Sequence, residues 1–224
     1  MPSAGLELVE HLWEGYALSL PELVEGIEAP WDVVARAPDL IAAAARRDVQ
    51  GDVHPSAIIE GDCLIERGAS VGPCAYICGP TIIRSGASVR HSAYIRGHCL
   101  LEPGALVGHD TEVKNAVFLS DAKAPHFAYV GDSVLGAHCN LGAGTKLANV
   151  RVVPGNVVVR IGDERYDTGL RKLGALVGNR CKVGCNVVLN PGTVLEMDCV
   201  VYSCVSVRGH HVRGSIVKGG SEPR

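Results

Sequence analysis

From Val53 onward the chain repeats in sixes: VHPSAI, IEGDCL, IERGAS, VGPCAY, ICGPTI, IRSGAS, VRHSAY, IRGHCL, LEPGAL, VGHDTE, VKNAVF. Every first position is Val, Ile or Leu, and the fifth positions, Ala57, Cys63, Ala69, Ala75, Thr81, Ala87, Ala93, Cys99, Ala105, Thr111 and Val117, are small. The frame breaks near Leu119–Ala122 and resumes at Tyr129 (YVGDSV, LGAHCN, LGAGTK, LANVRV). After a second break it runs from Val177 to Val212, giving 21 hexads in all. A large aliphatic every six residues matches neither the 3.6-residue helical period nor simple alternation along a long strand. It matches a prism with three flat faces, one hexad to a face. Eighteen residues then make a coil, and 21 hexads predict about seven coils stacked at roughly the 4.8 Å interstrand spacing. The first-position aliphatics form columns that make a core without aromatic rings, and the small fifth residues sit where the chain turns a corner.

Hexapeptide repeats of this kind are the pattern of an all-β solenoid, the left-handed parallel β-helix, a known exception to the right-handed crossover preference. The period comes from the residues and the handedness from that family pattern. Residues 1–50 lack the hexad, and GLELVEHLWEGYALSL, PELVEGIE and PWDVVARAPDLIAAAARR read as helical, with Pro21, Pro30 and Pro38 as starts and breaks. The expected organisation is a helical appendage over 1–50, packing on or capping the N-terminal coil, and a β-helix domain over 51–218. Within the latter, VRVVPGNVVVRIGDERYDTGLRKLG carries β-branched runs split by Pro154-Gly155-Asn156 and Gly162-Asp163. It predicts a β-arm insertion over about 150–175, projecting from the prism toward a neighbouring subunit.

Composition narrows the function. Of 224 residues only 4% are aromatic, no apolar run reaches the roughly 18 residues of a membrane span, and the N-terminus lacks the order of a secretory signal, so the expected location is cytoplasmic. Nine cysteines without a CxxC pair read as reduced thiols; Cys63, Cys99, Cys139, Cys181 and Cys199, on fifth positions, read as small buried hydrophobes. Residues 1–52 carry ten acidic and three basic side chains, and residues 53–224 carry fourteen and eighteen. That mildly cationic part, with no Lys/Arg run, suits small polyanionic ligands rather than nucleic acid.

The period also singles out residues. Arg96 and Lys114 are 18 apart, so they stack on one face a coil apart, where two cations roughly 5 Å apart repel by about 1 kcal/mol in water. A phosphate between them removes that cost; a solvated basic face is the alternative that spacing leaves open. His91 and His109 stack by the same rule and read as surface imidazoles. The first frame break, SDAKAPHFAYVGDS, supplies Lys123, His126 and Tyr129 on an irregular loop, where His126 either fills the coil or accepts a proton from an amine.

The segment VKNAVFLSDAKAPHFAYVGDSVLGAHCNLGAGTKLAN resembles the acetyltransferase domain of the bifunctional N-acetylglucosamine-1-phosphate uridyltransferase/glucosamine-1-phosphate acetyltransferase family. The arm and RKLGALVGNRCKVGCNVVLNPGTVL are more similar to the archaeal-type sugar-1-phosphate nucleotidyltransferase/acetyltransferases. The resemblance covers about residues 30–210. It implies His126 as general base, Arg96, Lys114 and Lys172 on the sugar phosphate, and Tyr129, Asn140 and Asn149 positioning sugar and amine. It also implies Ala143, Cys185 and Ser203 lining an acetyl-CoA groove, a homotrimer, and no metal requirement. Pro125 stands where relatives have Gly, Cys185 where Ser is common, and residues 1–50 are too short for the family's nucleotidyltransferase domain, so uridylyl transfer is not expected.

The implied function is acetyl transfer from acetyl-CoA to an amino-sugar 1-phosphate, glucosamine 1-phosphate first, in nucleotide-sugar biosynthesis. Alternatives are galactosamine 1-phosphate or a nucleotide-linked amino sugar as acceptor, or a non-catalytic scaffold for a separate nucleotidyltransferase. The gamma-type carbonic anhydrases share the architecture, but two of their three histidines lie five apart, and no two of the nine histidines here do. The contacts of Arg208, Arg213 and Lys218 with CoA stay open.

Overall fold

The computed structural model describes residues 4–15 and 18–219; Tyr16 and Ala17, inside the first expected helical stretch, lie outside the described residues. The hexads wind into a left-handed parallel β-helix whose second face is a continuous nine-stranded parallel sheet running from Asp52–Val53 to Ile216–Val217. There are thus nine coils and not seven, because the residues at the first frame break continue the prism, as do Asp48–Val49 before the repeats and Ile216–Val217 after them.

The register shows how. Leu101 pairs with Phe118, Val107 with Ala124, Val113 with Val130 and Phe118 with Leu135. The inward positions therefore run Val107, Val113, Phe118, Ala124, Val130, Leu135, Leu141. Two of these steps, Val113 to Phe118 and Val130 to Leu135, hold five residues instead of six. Ala116, not Val117, takes the small corner place beside Cys99, and Val130, not Tyr129, points into the core. The expected irregular loop is absent: Lys123–His126 is a strand of the nine-stranded sheet. Phe118 is fully buried at an inward position, so the core holds one large ring after all.

A second apolar layer covers one face. Leu64, Ile82, Leu100, Val117, Val134, Leu176 and Val194 point outward from successive coils and are buried under helix α1 (Ala4–Trp13), the turn Pro21–Leu23 and helix α2 (Asp32–Ala44). The helical segment therefore lies along the flank of the prism and does not cap its first coil. Its end is tied to the later coils, since Trp13 Nε1 donates to the Val177 carbonyl at 3.2 Å and the Asn179 N–H to Leu12 at 2.9 Å. Pro38 lies inside α2 instead of breaking it, because Val33, Val34, Ala37 and Ile41 bury one stripe of the helix against the prism and packing outweighs propensity.

The arm forms an antiparallel hairpin, Val158–Ile161 with Glu164–Asp167. It does not project. Val157, Val159 and Leu173 are buried in the same outer layer, and the Tyr166 ring lies 5.7 Å from Trp31. Its alternating valines find the apolar face of their own chain, which leaves two faces of the prism uncovered. Among the described residues no helix is long and apolar enough to cross a membrane.

Candidate active site

The corner between the two uncovered faces carries one residue per coil from His91 through His109, His126, Ala143 and Cys185 to Ser203. His109 is in register with His126, the Gly144 N–H donates to the His126 carbonyl at 3.0 Å, and the Asn186 N–H to that of Ala143 at 2.8 Å. The Cys185 N–H then donates to Ser203 Oγ at 3.1 Å. The three residues expected to line a CoA groove and the expected base thus share one column. Above them, the His91 and His109 rings stack at 4.1 Å, and Phe127 meets the other side of His109 edge-on at 5.0 Å. The His126 side chain is exposed and makes no hydrogen bond among the described residues, so its ring is free to accept a proton.

On the face that follows the corner, the two short steps gather polar groups. Lys114-Asn115-Ala116 and Gly131-Asp132-Ser133 turn one residue early, with Asn115 and Asp132 both at positive φ. Asp132 is 4% exposed; its carboxylate accepts the Asn115 side-chain amide at 2.8 Å and that of Asn149, and faces Lys114 Nζ at 3.5 Å. Tyr129 donates to Asn149 Oδ1 at 3.5 Å, and burial, followed by the nearby Asp132 and Glu112 charges, raises its phenol above the usual range. Arg96 donates to Glu112 at 2.7 Å, a hydrogen bond that raises its pKa further. Arg96 and Lys114 do share a face, yet each is already matched by a carboxylate, so the expected bare repulsion is answered within the chain. Lys172 is exposed beside this cluster: it bridges to Val150, and the next N–H, that of Leu173, donates to the Asn149 carbonyl at 3.0 Å.

Arg96, Lys114, Tyr129, Asn149 and Lys172 are thus gathered on the face that follows the His126 column, whereas Asn140 is not. It lies on the preceding face, in register with Lys123 and Lys182. Glu112, Asn115 and Asp132 were not anticipated; their signal is the 17-residue spacing of Leu101 to Phe118 and of Phe118 to Leu135. Of the terminal basic residues, Arg213 is paired with Asp198 at 3.1 Å and Lys218 lies 5.5 Å from the Tyr202 ring. Among the described residues no group of three or more His, Cys, Asp and Glu side chains is placed to hold a metal.

This geometry defines a hexapeptide-repeat β-helix with a histidine column at the corner of two open faces and a polar cluster at the far edge of the second. Residues 77–164 match the model of the GMPPB C-terminal domain. The bifunctional protein GlmU of Methanococcus maripaludis (strain C7) is 47% identical over 172 residues, covering 77% of this chain and 41% of that protein. Its counterpart in Methanocaldococcus jannaschii is 37% identical over 170 residues, covering 76% and 41%. A bifunctional sugar-1-phosphate nucleotidylyltransferase/acetyltransferase of Sulfurisphaera tokodaii is 41% identical over 91 residues, covering 41% and 23%. Over the region matched, the chain is similar to the β-helix part of these bifunctional proteins. It spans about two fifths of the length of the GlmU relatives it matches. Among solved structures, PerB from Caulobacter crescentus in complex with CoA and GDP-perosamine aligns over 52% of this chain and 54% of its own, at 22% identity and a TM-score of 0.31. An Arabidopsis UDP-N-acetylglucosamine acyltransferase aligns over 76% and 70%, at 12% identity and 0.40.

Proposed function

We propose that the protein transfers the acetyl group of acetyl-CoA to the amine of an amino-sugar 1-phosphate, with glucosamine 1-phosphate as the first choice. The observation that carries this reading is the His126 imidazole, without a hydrogen-bond partner among the described residues, set in one column with Ala143, Cys185 and Ser203 and followed on the next face by the Lys114–Asp132–Asn149 cluster. His126 takes the proton from the sugar amine as its nitrogen attacks the thioester carbonyl carbon. The carbonyl π pair moves to oxygen, then re-forms the double bond as the carbon–sulfur bond breaks, and CoA leaves as the thiolate. Proton removal of this kind is worth roughly 10²–10⁴ in rate.

In the Gly142-Ala143-Gly144 turn, the Gly142 N–H bonds to Val183 and the Gly144 N–H to His126. Among the described residues the Ala143 N–H is left over, one donor for the oxyanion of the tetrahedral intermediate. Arg96, Lys114 and Lys172 hold the phosphate, and Tyr129 and Asn149 orient the amine. The assembly is a homotrimer, with each site between neighbouring prisms.

Thiol release with acetyl-CoA and glucosamine 1-phosphate tests the reading, and His126→Ala is expected to abolish it while sugar-phosphate binding persists; unchanged turnover overturns the mechanism. Galactosamine 1-phosphate and a nucleotide-linked amino sugar in the same assay fix the acceptor. Failure of acetyl-CoA to bind would favour a scaffold instead.

A further inference from the structure

The face that precedes the corner carries a second cluster of cations. Its outward residues on three successive coils are Lys123, Asn140 and Lys182, held in register by the parallel ladder. With Asp121, His138 and Cys139 they line an open cleft. Lys182 Nζ donates to the His138 carbonyl at 3.3 Å, and the Asp121 carboxylate faces the His138 ring at 3.5 Å. Among the described residues, neither the Lys123 ammonium nor the Asn140 side-chain amide has a hydrogen-bond partner.

The charges differ from those across the corner. There, Arg96 and Lys114 each face a carboxylate, Glu112 at 2.7 Å and Asp132 at 3.5 Å. Here two lysines face one carboxylate, and that carboxylate is turned toward His138. The lysines are two coil spacings apart, roughly 10 Å between backbones, with Asn140 on the coil between them, and their flexible stems can reach a group held over it. Two ammonium groups and an amide supply donors in several directions, which suits the three oxygens and double charge of a phosphate monoester better than a planar carboxylate. The row is short. Leu106 precedes Lys123 and Val200 follows Lys182 in the same column, so the charge does not continue along the face as a polynucleotide would need. Lys123 and His126 are the two ends of one four-residue strand, about 10 Å apart along it.

We propose that the Lys123–Asn140–Lys182 cleft is a second binding site, for a phosphate group of a phosphorylated small molecule, on the opposite side of the His126 corner from the Arg96–Lys114 cluster. The site stands on charge and geometry and does not depend on the acetyl-transfer reading. The phosphate comes either from a sugar phosphate or from CoA.

Calorimetric titration of the full chain with glucosamine 1-phosphate, CoA and 3′-dephospho-CoA tests it without turnover. Lys123→Gln combined with Lys182→Gln is expected to weaken at least one of these by 10-fold or more. Each single substitution should weaken it several-fold, with no change in thermal midpoint, since both side chains are exposed. Loss confined to glucosamine 1-phosphate identifies the sugar phosphate as the source, and loss confined to CoA identifies a CoA phosphate; either supports the site. Equal affinities of wild type and double variant for all three compounds, or no binding of any of them, overturns it. An inactive acetyl-transfer assay with this binding intact would refute only the catalytic reading.

Discussion

Lys114 Nζ and Asp132 Oδ1 face each other at 3.5 Å from neighbouring coils, and the same carboxylate takes the side-chain amides of Asn115 and Asn149. Asp132 is therefore the hub on which the Lys114 ammonium and the Asn149 side-chain amide are both set. Asp132→Asn removes the charge that balances Lys114 and turns an acceptor into a donor that confronts two other amides. Unsatisfied buried groups of this kind cost about 1–3 kcal/mol. The urea midpoint should fall with the slope unchanged, and KM for the amino-sugar phosphate should rise ten-fold or more. A variant with wild-type midpoint and KM would show that Asp132 holds nothing in place.

Gly131 is where the chain passes under the site. A Cβ there would lie 2.7 Å from both Asn149 Nδ2 and Tyr129 Oη, closer than real Cβ contacts come. Gly131→Ala must displace the two side chains, while its backbone need not move. Activity should fall by one to two orders of magnitude with a small change in thermal midpoint, read by parallel assays on the same preparation; equal loss of both would point to a folding defect instead.

Much of this was legible in the residues. The hexad gives the prism, the stacking of His91 on His109 and the shared face of Arg96 and Lys114. Two things were not. The five-residue steps look like a broken frame in one dimension, and only the pairing of Leu101 with Phe118 shows that the coils run through. The covered face did have a signal, since the sixth hexad positions at 18-residue intervals, Leu64, Ile82 and Leu100, are aliphatic while Ser70 and Ser88 on the next face are not. The arm was misplaced because β-branched runs predict strands, and nothing local in them says what they pack against.

Glu102 is 2% exposed and accepts the Ser19 N–H at 2.7 Å, anchoring the helical layer to the prism. Burial raises its pKa, partly opposed by the Ser19 hydrogen bonds and Arg84. With the folded value above the unfolded one, the folded state binds the extra proton between them. Stability from this group therefore falls as pH rises through the window from the ordinary glutamate value of 4.5 to the raised one. Glu102→Gln keeps an acceptor for Ser19 and cannot ionise. It should be more stable than wild type at pH 7, with the difference vanishing below pH of about 4, where both states of wild type are protonated. Urea midpoints across that range check the sign; a variant less stable at pH 7 contradicts it.

The short steps themselves can be tested. If the site exists because the corner turns one residue early in two successive coils, restoring the sixth residue in both should rebuild a regular prism and dismantle the site. Inserting one glycine after Asn115 and one after Asp132 returns the Val113–Phe118 and Val130–Leu135 steps to the length used by the other coils, and keeps those two coils in register with each other. The double insertion should fold, with a far-UV spectrum and thermal midpoint near those of the parent. It should lose acetyl transfer, since Asn115 and Asp132 no longer turn inward toward Lys114 and Asn149. Either insertion alone sets one coil out of step with the next along the Glu112–Phe118 and Tyr129–Leu135 ladder and should lower the midpoint well below that of the pair. Retained activity in the double insertion would separate the site from the shortened corner.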